Sequence, residues 1–416
     1  MISKKDCQIL RKLAAEYAEY VQSDEMNRKR EIWRLTNRLE ERTVPFLIED
    51  NGSYVIDLQD EKDLCEGEFA REAELYLRRC IGNLKNIDDD RIYPPYYPVQ
   101  WDIDRPEVCS ELQITKVADA TGRMLGYETN KPLADLKSGL SKLERREFSV
   151  DRDLTARRMQ AFSDAFGDIL PVKLVNEHVT KVGNGMAQKA VKLMGMDNFY
   201  IAMLDDPENI HRFFEFVANE SEDFMNWMIE EDLFCLNNGE FWCGSGSIAY
   251  TDELPRRKID ADSKYLPEDC WCFIEAQEAV GVSNEMFAEF IFPYMERVAN
   301  RFGLVYYGCC EPVHALWETV NKITNLRKIT VSPWCELEIV ANAAGREVVL
   351  SRKPHPMKLC GETFDHGAMR DHLKEFLDIS KDNFVELIFR DNCRINGSMK
   401  DRVGQTCRIV KELIGR

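Results

Sequence analysis

From residue 170 onward, short apolar stretches alternate with longer stretches in which apolar residues recur at helical spacing. Eight of the short stretches fit buried strands: 171–177, 197–204, 232–238, 271–277, 303–308, 328–332, 347–352 and 384–391. Eight parallel strands separated by helices are typical of a closed barrel, and this part of the chain is close to the ~250 residues such a barrel uses. The pattern predicts an α/β protein built on a (β/α)8 TIM barrel.

The first 150 residues have a different pattern. Residues 4–21 and 24–42 predict two amphipathic helices, and Ser23 is placed to cap the second. We therefore predict a mainly helical N-terminal extension or cap over residues 1–150 and the barrel over residues 151–416. Four further helix starts are indicated by capping residues, at Asp206-Pro207, Ser283, Ser332-Pro333 and Ser398.

Composition narrows the class of protein. The 416 residues are 44% hydrophobic, yet no stretch approaches the ~18 uninterrupted apolar residues of a membrane helix. A net charge of −18 argues against nucleic-acid binding, which depends on neutralising phosphates. The N-terminus lacks the apolar core of a secretory signal, and 14 cysteines without a compact disulfide layout suit a reducing compartment. We expect a soluble cytoplasmic protein that acts on no membrane and no nucleic acid.

Residues 305–314 read as a buried strand that runs into a turn and then a helix, with Pro312 suited to the first helical turn. Two thiols and a carboxylate, Cys309, Cys310 and Glu311, would then lie at the carboxyl end of a strand, where α/β barrels bind ligands. Thiolates and carboxylates are zinc ligands, so we predict a zinc site formed by this cluster with Glu278. The alternative is that both cysteines are structural and pack beneath a helix.

Other polar residues follow the predicted strands. Glu275 and Glu278 lie three apart and are candidates for a proton donor or metal ligand, as Asp391 is for catalysis; a solvated or ion-paired role is the alternative. Five residues are candidates for substrate binding: Asn176, His178, Tyr307, Arg352 and Lys353. Arg352 and Lys353 could instead form salt bridges, and a lone histidine such as His178 is often structural.

The polar stretch 243–265 is too long for a simple connection and suggests a lid or binding loop. Its Gly-Ser-Gly segment at 244–246 is not a dinucleotide fingerprint, because no third glycine opens a helix.

Several stretches resemble the uroporphyrinogen decarboxylase superfamily, which includes cobalamin-independent methionine synthase and corrinoid methyltransferases. They are Glu275–Ser283, Glu289–Tyr294, Tyr307–Pro312, Ser332–Trp334, Ser351–Pro354 and Phe389–Asp391. The Arg-Gln-Ala-Gly-Arg segment of true uroporphyrinogen decarboxylases is absent. The His-x-Cys pair of the zinc methyltransferases is replaced by Tyr307-Gly308-Cys309, so only a thiol carries over.

The resemblance implies a methyltransferase of the kind used in anaerobic O-demethylation. Such an enzyme moves a methyl group from a small, methoxylated substrate to a corrinoid carrier protein. The chain lacks an Asp-x-His-x-x-Gly corrinoid signature, so cobalamin would come only through that partner. Two alternatives stay open: a decarboxylase or other lyase acting on a carboxylated substrate, and a non-catalytic ligand-binding barrel. The sequence leaves the oligomeric state open.

Overall fold

The computed structural model describes residues 2–49, 64–118, 124–260, 262–392 and 400–416. Within these ranges the protein is a mixed α/β structure in which a parallel six-stranded sheet is surrounded by helices. The predicted cap Ser398 lies outside the described residues. No helix in the described ranges is both long enough and apolar enough to cross a membrane.

The helices vary from single turns to a helix of 24 residues. Their bounds are α1 Lys4–Val21, α2 Asp24–Asn37, α3 Glu68–Asn86, α4 Leu136–Gly139, α5 Arg152–Phe166, α6 His178–Lys181, α7 Met186–Met194, α8 Met196–Asp205, α9 Pro207–Glu230, α10 Asn284–Phe290, α11 Phe292–Ala299, α12 Trp317–Val320, α13 Leu337–Ala344, α14 Met357–Cys360, α15 His366–Ile379 and α16 Lys400–Leu413. Short 3₁₀ turns occur at Leu140–Lys142, Pro267–Asp269, Gln277–Ala279 and Val313–Leu316.

The strands are short. Their bounds are β1 Phe46–Ile48, β2 Tyr97–Gln100, β3 Ile103–Asp104, β4 Ile114–Ala118, β5 Met124–Thr129, β6 Ser149–Val150, β7 Val172–Val175, β8 Trp242–Gly244, β9 Ser247–Ile248, β10 Trp271–Ile274, β11 Leu304–Tyr307, β12 Leu326–Val331, β13 Val349–Arg352 and β14 Phe384–Phe389.

The main sheet has the order β1-β14-β13-β12-β11-β10, and every neighbouring pair is parallel. Strands β2 and β7 form a separate parallel pair, whereas β3-β6, β4-β5 and β8-β9 are antiparallel. Strands β1 and β2 come from the first 150 residues, and each pairs with a strand from later in the chain. The predicted N-terminal extension therefore also supplies strands.

The β8-β9 hairpin lies against one face of the six-stranded sheet. A Cβ atom added at Gly244 would overlap the Phe273 ring of β10, and one added at Gly246 would approach Ile388 of β14. Because β10 is the last strand of the sheet and β14 is next to the other edge, the sheet must curve around the hairpin. We call this inner surface the concave face.

Six of the eight predicted strands are confirmed, as β7 and β10 to β14. The strand predicted at 197–204 is wrong, because these residues form helix α8. Phe199 and Met203, four residues apart, are buried there, while Ile201 and Leu204 are 54% and 73% exposed. The apolar run therefore has a helical face. The strand predicted at 232–238 is also wrong, because these residues form no strand.

The helix starts predicted at Ser23 and Ser283 are confirmed, whereas the start predicted at Ser332-Pro333 is wrong, because helix α13 begins only at Leu337. The side chains of Ser3, Ser23 and Ser283 each accept a hydrogen bond from the backbone N–H three residues later. Helix α9 begins at Pro207 as predicted, but the Asp206 side chain does not cap it; this carboxylate accepts hydrogen bonds from Asn209.

Candidate functional site

Four charged or nucleophilic side chains gather at the carboxyl ends of strands β10, β11, β13 and β14. They belong to Glu275, Cys309, Lys353 and Arg390, each of which directly follows its strand or lies two residues beyond it. The four groups are close enough to influence one another electrostatically, since Cys309 acts on the pKa of the other three. Carboxyl ends of parallel strands are the usual ligand-binding edge of such sheets.

Glu311 fixes the ends of two neighbouring strands. One carboxylate oxygen accepts a hydrogen bond from the Ala276 N–H at 2.9 Å, and the other accepts one from the Cys309 N–H at 2.8 Å. Gly308 has φ = +101° and its carbonyl accepts a hydrogen bond from Thr330 Oγ1 at 2.6 Å. The turn after β11 is thus held on both sides, and Glu311 is buried as a structural group.

The two thiols lie side by side on this turn. The Sγ atoms of Cys309 and Cys310 are 3.8 Å apart; Cys309 is half-buried and Cys310 is exposed. A hydrogen bond from Cys309 lowers the pKa of the Cys310 thiol, and the same contact, followed by burial, raises the pKa of Cys309. In this arrangement Cys310 is the more readily ionised sulfur.

Two carboxyl groups follow β10, but their surroundings differ. Glu275 is only 5% exposed, and burial, then the charges of Glu311 and Glu278, raise its pKa well above the usual range. Burial also raises the pKa of Glu278, whose Oε2 is buried without a hydrogen-bond partner among the described residues. Burial and the neighbouring charges both favour the protonated form of Glu275, which lies on the concave side of the site.

Two cations lie across from these acids. Lys353 Nζ donates hydrogen bonds to Tyr306 Oη at 3.0 Å and Ser351 Oγ at 2.7 Å, and burial lowers its pKa to about 7. The Arg390 guanidinium forms an ion pair with Glu49 at 3.2 Å and donates to Ser245 Oγ at 3.1 Å. The hairpin and β1 thus both reach the site.

Strand alternation places two predicted substrate-binding residues on the other face. Arg352 points away from Lys353 and donates to the Ser332 carbonyl at 2.7 Å, with the Phe376 ring of α15 beside it. Tyr307 is buried in the outer core, where its ring packs against Phe287. Successive side chains of a strand point to opposite faces, so Arg352 does not face the site. Tyr307 lies behind it, where burial and then the charges of Glu311 and Glu275 raise its pKa.

Of the remaining predicted residues, Asn176 and His178 lie apart from the four-residue cluster, whereas Asp391 lies beside it and its charge affects the pKa of Arg390 and Cys310. Asn176 donates to the Leu233 carbonyl at 2.8 Å and accepts from the His178 N–H, which makes it a structural link after β7. His178 packs against Phe224, and burial lowers its pKa. Asp391 is exposed after β14, in a positive-φ conformation.

A cavity of about 370 Å³ opens beside β7 at the same edge. It is lined by Gln100, Asn176, Lys181, Asn237, Phe241 and Trp242, among others. The Trp242 ring also packs edge-on against Phe273, with 5.2 Å between centroids, so the hairpin separates this cavity from the interior of the sheet. The sequence prediction of a binding loop at 243–265 pointed to this hairpin, and Arg390 was among the polar residues expected at the strand ends, but Trp242 and Glu49 were not predicted.

In the structure, the side chains of the predicted zinc ligands do not surround one common point. Among the described residues, no three His, Cys, Asp or Glu side chains converge on one point suited to a metal ion. Both carboxylate oxygens of Glu311 accept hydrogen bonds from backbone N–H groups. The ligand atoms that Cys309 and Cys310 offer are their two sulfur atoms. Zinc ligation by these residues stays a prediction.

Comparison with known proteins gives similarities among solved structures but not among protein-family models or curated proteins. No protein-family model matches the chain, and no curated protein matches it. Among solved structures, one that overlaps the chain is a methyltransferase from Methanosarcina mazei, with 11% sequence identity and a TM-score of 0.37. The overlap covers 65% of this chain and 73% of the other.

Proposed function

We propose that this protein is a methyltransferase that moves a methyl group from a small methoxylated compound to a corrinoid held by a partner protein. The observation that carries the proposal is the buried carboxyl group of Glu275, whose pKa is raised by burial and by neighbouring charges, at the ligand-binding edge of the sheet beside a pair of thiols. The sequence resemblance to corrinoid methyltransferases supports it.

A methyl ether is inert until its oxygen becomes a better leaving group. Glu275 is suited to this task because burial raises the pKa of its carboxyl group, which favours the protonated form that can donate a proton to the departing oxygen. The electron pair of the C–O bond then stays on that oxygen, which leaves as an alcohol, and Glu275 becomes a carboxylate. The reduced corrinoid of the partner would supply the electron pair that accepts the methyl group.

The other groups of the site would position the substrate and restore the acid. The Arg390 guanidinium and the Lys353 amine lie on the opposite side of the site from Glu275 and can bind a carboxylate or hydroxyl of the substrate. The Glu278 and Glu311 charges favour return of a proton to Glu275 after each cycle, because they raise its pKa.

The test is to mix the protein with a panel of methyl ethers and a reduced corrinoid carrier, and to follow the methyl-cobalamin spectrum. Glu275→Gln should lower the rate ~10²–10⁴-fold, whereas the exposed Glu338→Gln on α13 should not change it. The wild-type rate should fall as pH rises through the pKa of Glu275. No methyl transfer with any ether, or an unchanged rate in Glu275→Gln, would contradict the proposal.

We also propose that the curved sheet is part of a closed (β/α)8 barrel. Asn237 bonds to both the N–H and the carbonyl of Trp271 in β10, and Leu233 accepts a hydrogen bond from Asn176 after β7. Residues 233–237 therefore lie between β10 and β7, which pairs with β2. This supports closure of the sheet through that segment.

A second candidate function is favoured by Lys353. A buried amine with a pKa of about 7, next to Arg390, suits a decarboxylase or other lyase that acts on a carboxylated carbonyl compound. Carbon dioxide release without a corrinoid carrier, together with covalent trapping of substrate on Lys353 by borohydride, would favour this function over methyl transfer. Ligand binding with neither reaction would indicate a non-catalytic barrel.

A further inference from the structure

Cys309 and Cys310 are adjacent in the sequence and their sulfur atoms already face each other at 3.8 Å. Among the thirteen cysteines of the described residues, Cys310 is the one that is exposed. A reagent in solution therefore meets this sulfur first, with the Cys309 sulfur next to it.

The backbone of the turn is anchored at the peptide that precedes Cys309, and after Cys310 through the Glu311 side chain, which also binds the Ala276 N–H, but not between the two cysteines. Thr330 holds the Gly308 carbonyl and Glu311 holds the Cys309 N–H. Among the described residues, no hydrogen bond engages the Cys309 carbonyl or the Cys310 N–H. The peptide between the two cysteines can therefore rotate to bring the sulfurs into bonding distance while the strand ends stay in place.

We propose that Cys309 and Cys310 form a reversible vicinal disulfide by exchange with a small-molecule disulfide. In the first step the Cys310 sulfur attacks the small disulfide, forming a mixed disulfide and releasing one thiol. In the second step the Cys309 sulfur attacks the Cys310 sulfur and releases the second thiol. The cysteine pair loses two electrons, the small disulfide gains them, and the two thiol protons leave on the released thiols.

The cross-link should be easy to reverse. Neighbouring Cα atoms are ~3.8 Å apart, whereas most disulfides join Cα atoms ~4.4–6.8 Å apart, and such deviations make the bond more reducible. Closing the ring would also tie up both thiols beside Glu275 and Lys353. The disulfide would thus change the candidate site without unfolding the protein, and its formation does not depend on which reaction the site performs.

The test uses the full-length protein, reduced, desalted, and incubated with oxidised glutathione. Remaining thiols are alkylated and the protein is cut with trypsin, which releases residues 302–322 as one peptide containing these two cysteines. We expect this peptide to be two hydrogen masses lighter than the reduced form, without alkyl groups, and to regain both alkylation sites after mild reduction. A peptide carrying glutathione on Cys310 and an alkyl group on Cys309, or two alkyl groups, would overturn the proposal.

Cysteine variants distinguish formation of the Cys309–Cys310 disulfide from simple modification of Cys310. Cys309→Ser should stop at the glutathione adduct of Cys310, whereas Cys7→Ser, a half-buried cysteine on α1, should leave ring formation unchanged. A trivalent arsenical, which needs two sulfurs on one atom, should protect both cysteines of the wild type from alkylation. Failure of the arsenical to protect them would show that the sulfurs cannot reach a common atom.

Discussion

Lys328 Nζ lies 2.9 Å from Glu386 Oε2, and neither side chain is exposed to solvent. The same ammonium donates to Ser247 Oγ at 2.7 Å and to the Ile248 carbonyl at 3.2 Å. This buried pair therefore links β12 and β14 to the hairpin inside the curved sheet. Although burial alone would raise the pKa of Glu386, the charges of Lys328 and Lys353 lower it below its usual value.

We predict that removing one charge of this pair destabilises the protein more than removing both charges. Glu386→Gln leaves the Lys328 ammonium buried without its counter-charge and should lower the free energy of unfolding by ~3–5 kcal/mol. The double variant Lys328→Met with Glu386→Leu should lose much less, because neither member of the pair is left buried without its partner. Urea unfolding measures both, with the exposed pair variant Asp378→Asn as a control that should change little. A double variant as unstable as the single one would contradict this account.

Lys353 should make stability depend on pH. Burial lowers the pKa of this amine from 10.5 to about 7, so between these values the folded protein binds fewer protons at this site than the unfolded chain does. Stability should therefore rise with pH across this window. Lys353→Met should remove this contribution, giving a flatter curve of unfolding free energy from pH 7 to 10.

The exposed Lys374→Met should keep the wild-type curve and serves as the control. If the curves of wild type and Lys353→Met are parallel across the window, the amine is not buried in the way described.

The hairpin needs glycine where it meets the sheet. Gly244 has φ = +137°, and a Cβ atom there would overlap the Phe273 ring. Gly244→Ala should therefore lower the free energy of unfolding by ~1–3 kcal/mol through overpacking, with further backbone strain. Gly126→Ala on β5 has no atom within 4 Å of the new Cβ and should have little effect. Thermal or urea unfolding of the two variants decides the point.

Elemental analysis tests the predicted zinc site. Protein purified without chelator and kept reduced should contain zinc if Cys309 and Cys310 bind it with Glu278, and Cys310→Ala should lose the metal while Cys7→Ala keeps it. Zinc binding would require the Glu278 side chain to turn toward the thiols. A metal-free wild type that is active in the presence of chelator would show that the thiols act without zinc.

Some elements could be predicted because their signals are local. The caps of α2 and α10 need only a serine before an amphipathic stretch, and strands β10 to β14 are compact apolar runs between polar turns. The sequence also indicated that Cys309, Cys310 and Glu311 would follow a buried strand, and the structure confirms this position at the end of β11.

Other features depend on partners far away in the chain, and only the tertiary structure decided them. Strand β1 becomes recognisable only when it pairs with β14, more than 300 residues later, and Glu49 and Arg390 meet for the same reason. The segment 197–204 is apolar enough for a strand, but packing of Phe199 and Met203 selects a helix.

The sequence also could not predict which face of the sheet each side chain at a strand end points to. A one-residue difference in strand phase decides whether Lys353 or Arg352 faces the site, and apolar runs such as 303–308 carry no alternation that sets the phase. The sequence by itself determined that the protein would contain parallel strands with reactive groups at their carboxyl ends. The fold determined which of those groups meet. Strands buried on both faces of a sheet are apolar throughout, so their sequences lack the alternation of polar and apolar residues that would distinguish the two faces.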